Sequence, residues 1–451
     1  MSRGVRFSES RSASLAAALC LAGTMSAAQL AAPAMPDELG PEDAVASALA
    51  NQPQLKAVEE SVQAAAARSK HARWNRLGQL ETFLLYTPEQ RPLSVDFPGF
   101  PPYVPPSRFE VRQLAEYSLT LKLTQPLFTW GALTSQRQAA SREEAASREG
   151  LERARQETAY QARQAFFQAA TAVAAVAVAE RNRGQQAAFL EVARSRERAG
   201  AVARLDVLKA ELAVAQAESD LGEARNAERL AREALATATM DPRFRSAPLA
   251  EVDAAWAAGD LPSEDEAIAR ARQRRSDLRA LERQAEALDL AARAASAAAR
   301  PALVLQASIT QQNDIAAEVF GKDSQLYNLG LAVTWDGFEP LRSREKVAEL
   351  RATERSLRQS HRGRGEAVAL EVRSALSSAR EAQDRMRVQE RAVQVAEEQA
   401  RVARLAYGEG LITATEAQDA ELALTAARFN VIRARHDAAL ALAQLRLSLG
   451  E

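Results

Sequence analysis

Apolar and polar side chains alternate in several short stretches of the chain. The alternation is clear in residues 118–124, 303–310 and 329–333, and it is weaker in residues 78–86. A period of two residues predicts β-strands that are apolar on one face and polar on the other. We therefore expect four strands, which fit either a half-buried soluble sheet or a wall with lipid on one side and water on the other.

A second pattern, with apolar residues three and four positions apart, predicts long helices. Proline is absent between Pro126 and Pro242 and again after Pro340, so each tract can hold two long antiparallel helices. A helix from Leu133 to Ala199 would be about 100 Å long and would need partners along its whole length. The final helix has a seam of mainly small residues, which permits close approach of a partner helix. The seam consists of Ala417, Ala420, Leu424, Ala427, Val431, Ala434, Ala438, Ala441 and Leu445.

The strand and helix patterns occur twice. Residues 329–450 repeat residues 119–240 at a constant offset of 210 (329 − 119 = 210), and Gly200 recurs as Gly410. The repeat needs no insertion or deletion, so the chain contains two copies of one structural unit.

The repeat continues upstream with a different offset. Residues 44–57 recur as residues 267–280, at an offset of 223 (267 − 44 = 223), so the first copy carries 13 extra residues (223 − 210 = 13). They fall in a proline-rich connection, where insertion is best tolerated. The predicted division is a signal peptide at 1–28, a first repeat at 29–240, a connecting segment at 241–262 and a second repeat at 263–451. Within the repeats we expect a proline-rich loop at 88–116, a strand pair at 301–335 and helical hairpins at 131–240 and 341–450.

Charge and composition limit the classes of function. The 58 Lys and Arg residues nearly balance the 59 Asp and Glu residues, so no overall basic field exists to hold nucleic acid. The N-terminus combines three arginines with the apolar run 15–23 and small residues up to Ala28, which predicts a secretory signal peptide. The single cysteine, Cys20, lies in that segment. Beyond it we expect no membrane-spanning helix, so that any membrane crossing uses strands.

The sequence carries no catalytic or cofactor-binding arrangement. His71, His361 and His436 are far apart and fall on predicted helix surfaces. Neither a glycine-rich phosphate loop nor a paired metal-ligand spacing occurs. We therefore expect a protein that is not an enzyme and that uses no cofactor or metal.

Four strands cannot close a barrel by themselves, and lipid does not tolerate an open sheet edge. If the strands cross a membrane, several subunits must share the barrel. Two subunits would give eight strands with an interior filled by side chains, whereas three would give twelve strands and leave a lumen. A trimeric conduit is the simplest closed solution.

Two segments of the chain resemble motifs of the TolC-like outer-membrane efflux family. The first is Leu-Thr-Gln-Pro-Leu-Phe-Thr-Trp-Gly at 123–131, where the family enters its first long helix. The second is Tyr-Gly-Glu-Gly-Leu-Ile-Thr-Ala-Thr-Glu-Ala-Gln-Asp at 407–419, and residues 198–206 are the same turn in the first copy. The resemblance extends over residues 41–450 and includes the duplication and the order of the alanine-rich helices.

The resemblance implies a mainly α-helical protein with a small β part. Duplicated long antiparallel coiled-coil hairpins would form an α-barrel tunnel, and four strands per chain would join a twelve-stranded transmembrane β-barrel of a homotrimer. The protein would be the outer-membrane channel of a tripartite efflux or type I secretion system in a Gram-negative cell, with its helical part in the periplasm. Its implied partners are a periplasmic adaptor (membrane fusion) protein, an inner-membrane pump of RND, ABC or MFS type, and outer-membrane lipid.

Four residues match the family's periplasmic gate. Glu416 and Asp419 match the acidic pair that rings the narrowest point, and Asp206 and Tyr407 match positions that hydrogen-bond between neighbouring hairpins. Each has a simpler explanation. Thr413 and Glu416 form a Thr-x-x-Glu capping box, Asp419 can be a solvated acid, Asp206 can cap a helix and Tyr407 can be a packing residue.

The helix-to-helix turns are expected at the periplasmic tip, where the family contacts its adaptor. Gly200, Gly410 and Leu411 lie in these turns, and the glycines suit a conformation with positive φ. The chain departs from the family pattern at Ile412, where the best-known member has an arginine, so one bond of the closed state would be missing.

Aromatic residues mark the other end of the long helices. Trp130 and Trp335 close two of the alternating segments, and Phe128 and Phe338 lie beside them. Aromatic girdles occupy the membrane–water boundary of transmembrane barrels, and these four residues are expected there.

A different class of protein remains open at this point. A periplasmic coiled-coil scaffold or adaptor that never enters the membrane would show the same long helices. Adaptors of that kind usually carry one helical hairpin between soluble β modules, whereas this chain has two hairpins, each preceded by a strand pair.

Overall fold

The computed structural model describes residues 38–88, 93–100, 102–111, 116–252, 256, 259–313 and 325–451. The predicted signal peptide at 1–28 lies outside the described residues. The described residues from Leu39 to Glu451 belong to one compact unit.

The described helices form two matching sets. In the first copy they are α1 (Pro41–Asn51), α2 (Pro53–Trp74), α3 (Ala132–Arg198) and α4 (Arg204–Thr239). In the second copy they are α5 (Glu264–Arg274), α6 (Ser276–Ala298), α7 (Glu339–Gly408) and α8 (Ala414–Leu449). Both ends of α4 and α8 differ by 210 residues (414 − 204 = 449 − 239 = 210), as the sequence repeat requires. A 3₁₀ turn at Pro242–Arg245 follows the first copy.

The upstream repeat is reproduced down to single backbone angles. Gln52 separates α1 from α2 with φ −63° and ψ 118°, and Arg275 separates α5 from α6 with φ −65° and ψ 119°. The two residues are 223 positions apart (275 − 52 = 223). In both copies the extended residue interrupts the helix and lets it resume in a new direction.

The strands form two antiparallel sheets. Their bounds are β1 (Gln79–Thr87), β2 (Leu93–Phe97), β3 (Ser107–Val111), β4 (Glu116–Phe128), β5 (Ala302–Asn313) and β6 (Gln325–Thr334). Four of them form one sheet in the order β1-β4-β5-β6, and these are the four strands predicted from alternation. The segment 88–116, expected to be a loop, instead contains the two-stranded ribbon β2-β3.

The helical hairpins are held together by small buried residues. The α8 seam behaves as predicted, because Ala417, Ala420, Leu424 and Ala438 are each at most 4% exposed. Leu424 packs in a cluster with Ala400 of α7, and Ala438 packs in a cluster with Met386 of α7. Alanine lets two backbones approach closely, so contact area accumulates along the hairpin although each side chain buries little.

By length and composition alone, one described helix, α3, contains a stretch apolar enough to cross a membrane, although we anticipated no stretch of that kind. Its residues Phe166 and Phe167 are buried against Leu235 and Ala236 of α4. This apolar stretch therefore belongs to the packed core of the helical part.

A charged network ties the start of α6 to α7. The guanidinium of Arg275 is 1% exposed and contacts Asp277 at 2.7 Å and Glu371 at 2.6 Å. Arg364 contacts the same two carboxylates at 2.9 Å and 2.8 Å. Burial opposes ionisation of Asp277, but hydrogen bonds from Arg275 and Arg364 outweigh it and lower its pKa from 3.8 to about 2. The network therefore stabilises the fold most when the carboxylates of Asp277 and Glu371 are both ionised.

We predict that Asp277→Asn lowers the free energy of unfolding by about 1–2 kcal/mol at pH 7, after allowing for solvent screening of a group that is not fully buried. Because the folded pKa is depressed, this stabilisation is complete above about pH 4 and disappears as the pH falls through about 2. Thermal unfolding of wild type and variant, followed by circular dichroism at several pH values, measures it.

The matched control is Asp289→Asn, which breaks an exposed pair one helical turn apart, between Asp289 and Arg293. Its effect should stay below about 0.5 kcal/mol. Equal losses in the two variants, or a loss at Asp277 that persists at pH 2, would contradict the role given to this network.

Candidate functional site

The pairing register of the four-stranded sheet assigns its side chains to two faces. Leu121 lies opposite Thr82 and Ile309, and Ile309 lies opposite Tyr327. Because side chains on one face recur every second residue, these residues share a face, here called the apolar face. Its apolar members include Leu80, Leu84, Tyr86, Tyr117, Leu119, Leu121, Leu123, Leu303, Leu305, Ala307, Ile309, Tyr327, Leu329, Leu331 and Val333, and it also carries Thr82, Gln125, Gln311, Asn313 and Gln325.

The opposite face, here called the polar face, includes Phe83, Leu85 and Leu326, but most of its side chains are hydrophilic. Among them are Lys122, Thr120, Thr310, Gln306 and Ser308. The hydroxyl oxygens of Thr120 and Thr310 are hydrogen-bonded at 3.1 Å across the strands. A sheet with such faces separates an apolar medium from a wet one.

The apolar face is largely uncovered in the single chain. Leu84, Leu329 and Val333 are 78%, 74% and 69% exposed. Strands of this sheet have 9 to 13 residues, and about 9–11 residues suffice to cross a bilayer as a tilted strand. Within the described residues, β1 and β6 each pair on one side only.

Aromatic residues border the apolar face where the strands meet the helices. The indole N–H of Trp130 donates to the carbonyl oxygen of Pro301 at 2.8 Å, and that of Trp335 donates to Ala299 at 3.1 Å. Both acceptors lie in the connection between α6 and β5, so the two tryptophans are held at the same corner of the sheet. Phe128 stacks edge-on against Trp130, at 4.9 Å between ring centroids. Phe338 is 73% exposed at the start of α7.

Tyrosines border the other end of the same face. Tyr86 and Tyr117 lie opposite each other on β1 and β4, with ring centroids 4.8 Å apart. Tyr327 is 67% exposed on β6. These residues were not among the sequence candidates, although their alternation with polar neighbours offered the signal.

The two helix-to-helix turns have the predicted conformation. Gly200 and Gly410 adopt φ of 72° and 78°. In each turn the N–H after the glycine donates to a carbonyl five residues earlier, from Ala201 to Arg196 at 2.9 Å and from Leu411 to Ala406 at 2.8 Å. This is the Schellman arrangement, which satisfies the last carbonyls of α3 and α7. The side chain of Leu411 is 78% exposed at this turn.

Glu416 is engaged as a helix cap. Its carboxylate accepts the backbone N–H of Thr413 at 2.7 Å, and its own N–H donates to the hydroxyl of Thr413 at 3.3 Å. The backbone hydrogen bond from Thr413 lowers the pKa of Glu416. Asp419 is exposed three residues further along α8.

Tyr407 is buried between the two hairpins. Its ring stacks on Phe189 of α3 at 5.0 Å, and the guanidinium of Arg196 lies 4.5 Å from the ring centroid. Arg196 also donates to the carbonyl oxygen of Gly408 at 2.7 Å. Asp206 lies partly exposed at the start of α4. The structure does not join it to Tyr407, whose hydroxyl has no hydrogen-bond partner among the described residues.

Sequence reasoning missed Arg196 and Phe189. Both contact the second copy from the first, so no local motif or repeat position identifies them. Together with Tyr407 they connect the tips of the two hairpins within one chain, through a stacked ring and a cation over its face.

Comparisons with known proteins agree with this architecture. The family profile described as outer membrane efflux protein matches residues 44–239 and 267–451. A membrane protein from Pseudomonas aeruginosa is similar in structure, with a TM-score of 0.74, 20% identity, and coverage of 91% of this chain and 92% of that one. The outer membrane protein VceC from Vibrio cholerae gives a TM-score of 0.73, 20% identity and coverage of 91% and 96%. The CmeC outer membrane channel from Campylobacter jejuni gives a TM-score of 0.74 at 15% identity, with coverage of 91% of this chain and 85% of that one. The comparison with curated sequences gave no match.

We predict that Gly410→Ala weakens the tip by about 1 kcal/mol, because an L side chain strains a backbone with positive φ. No heavy atom lies within 4 Å of the added methyl position, so strain alone is tested. Faster hydrogen exchange of the amides that flank the turn is the expected result.

Gly222→Ala is the control, because Gly222 lies inside α4 and also has no neighbour within 4 Å of the added methyl. Alanine should stabilise that helix by about 0.5–1 kcal/mol. If hydrogen exchange of the surrounding amides becomes slower in both variants, the positive φ at position 410 does not require a glycine.

Proposed function

The chain belongs to the outer membrane efflux protein family, and from that premise we propose that three copies share one barrel and form a passive conduit across the periplasm and outer membrane. The protein is an outer-membrane efflux channel. We place the four-stranded sheet in the lipid and the helical hairpins in the periplasm. Residues 1–28 would be removed as a signal peptide during export.

The uncovered apolar face of the sheet carries the trimer proposal. Most side chains of this face are apolar or aromatic, and its polar members are Thr82, Gln125, Gln311, Asn313 and Gln325. Lipid satisfies such a face, but it cannot satisfy the outer hydrogen-bonding edges of β1 and β6. Pairing β1 of one subunit with β6 of the next removes both edges, and three subunits close twelve strands around a lumen. A scaffold that stays in the periplasm would leave this face in water.

We propose that the helix-to-helix turns form the periplasmic entrance and receive the adaptor. Gly200, Gly410 and Leu411 would present the contact surface, and an inner-membrane pump of RND, ABC or MFS type would supply the energy. Asp419 would line the entrance, with Glu416 contributing charge while it caps α8. One open lumen serves drugs, metal ions or polypeptides equally, so the pump would determine the substrate.

Within one chain, closure of the entrance would rest on Arg196 as much as on the expected pair. Its guanidinium contacts Tyr407 and Gly408 across the hairpins, and Asp206 is available to a neighbouring subunit. Ile412 stands where the best-known family member has an arginine. In this chain, Arg196 from the first hairpin would take over the role of that arginine.

A pair of adjacent substitutions on β5 tests the lipid-facing sheet. Ile309→Arg puts a charge on the apolar face and should cost about 2–4 kcal/mol of membrane stability near the bilayer centre. Ser308→Arg puts the same charge on the polar face and should be tolerated. The measurement is the amount of each variant recovered from the outer membrane, with its mass determined by light scattering corrected for bound detergent.

We expect wild type and Ser308→Arg to be recovered as particles of three subunits, and Ile309→Arg to be depleted. A detergent-independent monomer or dimer in the soluble fraction would refute the conduit and favour a periplasmic scaffold.

The acidic residues of the entrance can be tested without destroying the helix cap. Glu416→Gln retains a capping side chain, so the double variant Glu416→Gln/Asp419→Asn removes charge and little else. A ring of carboxylates attracts cations, and we predict that the double variant weakens block of single-channel current by Mg²⁺ at least several-fold.

Glu409→Gln is the control, because Glu409 is an exposed acid at the same turn that the entrance proposal does not use. Block that is unchanged in the double variant, or reduced equally in the control, would remove Glu416 and Asp419 from the entrance.

A further inference from the structure

A cavity lies between the two hairpins, close to the tips. It has a volume of about 340 Å³ and is bounded by α3, α7 and α8. We call it the tip cavity. Its walls are partly apolar, with Phe189 and Val192 from α3 and Ala417 from α8. The volume is within the range of pockets that hold small organic molecules.

Several polar atoms of this cavity have no hydrogen-bond partner among the described residues. Glu421 and Gln186 are 6% and 3% exposed. Neither carboxylate oxygen of Glu421 has a hydrogen-bond partner among the described residues, and the same is true of the amide oxygen of Gln186. Gln185 Oε1, Gln418 Nε2 and the hydroxyl of Tyr407, from residues that line the same space, are also buried and unpaired.

The duplication shows what is unusual about Glu421. Arg404 approaches Glu421 at 3.1 Å, and 210 residues earlier Arg194 approaches Glu211 at 3.0 Å, so each hairpin has the same ion pair. Arg194 forms a hydrogen bond to Glu211, whereas the Arg404 contact lacks hydrogen-bond geometry. The side chain of Glu211 is 37% exposed and that of Glu421 only 8%. Packing of α3 over the second hairpin therefore buries a carboxylate that is solvated in the first copy.

The unpaired atoms define the chemistry of an occupant. Acceptors outnumber donors, since two carboxylate oxygens and two amide oxygens face one amide nitrogen and one hydroxyl. The guanidinium of Arg404 already lies 3.1 Å from Glu421, so an occupant need not neutralise the carboxylate, but it must donate hydrogen bonds to the unpaired acceptors and needs an apolar body to fit the remaining wall. We propose that the tip cavity binds a small organic ammonium ion, with its charged group at Glu421 and its apolar body against Phe189 and Val192.

The proposal predicts how binding depends on pH. The charged and titratable groups that face Glu421 are Arg404 and Tyr407 on α7 and Arg428 on its own helix, and α3 contributes neutral side chains to the cavity wall. Burial raises the pKa of Glu421, against the opposing effect of Arg404 and Arg428. Only the carboxylate form attracts an ammonium ion, so binding should weaken as the pH is lowered through that raised pKa.

The test uses the full-length protein in detergent and phenethylammonium chloride as the probe, with binding measured by titration calorimetry. Glu421→Gln should weaken binding at least tenfold. Glu211→Gln, the matched residue of the first copy, should leave it unchanged. The neutral analogue 2-phenylethanol should bind at least tenfold more weakly than the ammonium ion to wild type.

A second variant keeps the test decisive if Glu421→Gln does not fold. Ala188 is exposed at the cavity wall, so Ala188→Trp can cover the cavity without touching Glu421, and it should also abolish binding. Circular dichroism and particle mass establish that each variant is folded. The proposal is overturned if phenethylammonium does not bind wild type, or if it binds Ala188→Trp and Glu421→Gln as tightly as wild type.

Discussion

Lateral packing of very long helices is the constraint on which the rest of this structure depends. Helices of 67 and 70 residues gain too little from their own hydrogen bonds to persist alone, so each must be covered along its length. Small residues such as Ala400, Ala420 and Ala438 solve this by letting neighbouring backbones approach closely. In the first copy the corresponding hairpin packs near its tip through Leu190, Ala193, Val207 and Ala210, a mixture of small and larger apolar residues.

The helical packing also determines where charge is tolerated. Arg275 can be buried because it lies at a break between two helices, where Asp277 and Glu371 reach it from both sides. Glu421 is buried for a different reason. The second hairpin, to which it belongs, would leave it solvated, but α3 of the first hairpin covers it. The first carboxylate cluster is fully satisfied and stabilising, whereas the second leaves polar atoms unpaired and so is suited to a ligand.

Periodic features of the sequence were sufficient to predict most of the fold. Proline-free tracts located the hairpins, and alternation located all four strands of the main sheet. The ribbon β2-β3 was missed although Leu93, Val95 and Phe97 alternate with Ser94 and Asp96, because surrounding prolines favoured a loop. Glycine chemistry predicted both tip turns, and the capping box at Thr413 and Glu416 formed as its spacing indicates. The contacts of Arg196 with Tyr407, and the burial of Glu421, depend on how the two copies face each other, which no single-copy pattern encodes.

The central strand pair β4-β5 joins the two copies, and this has a kinetic consequence. Leu121 pairs with Ile309 across 188 residues (309 − 121 = 188), whereas α3 with α4 and α7 with α8 are connected by short turns. Loop closure over such a distance is slow compared with local hairpin formation. The hairpins should therefore form first and the sheet last, after the second copy has been synthesised. Until then the edges of β4 and β5 that face each other in the finished sheet remain unpaired, so the newly exported chain has to be protected from aggregation during its passage to the membrane.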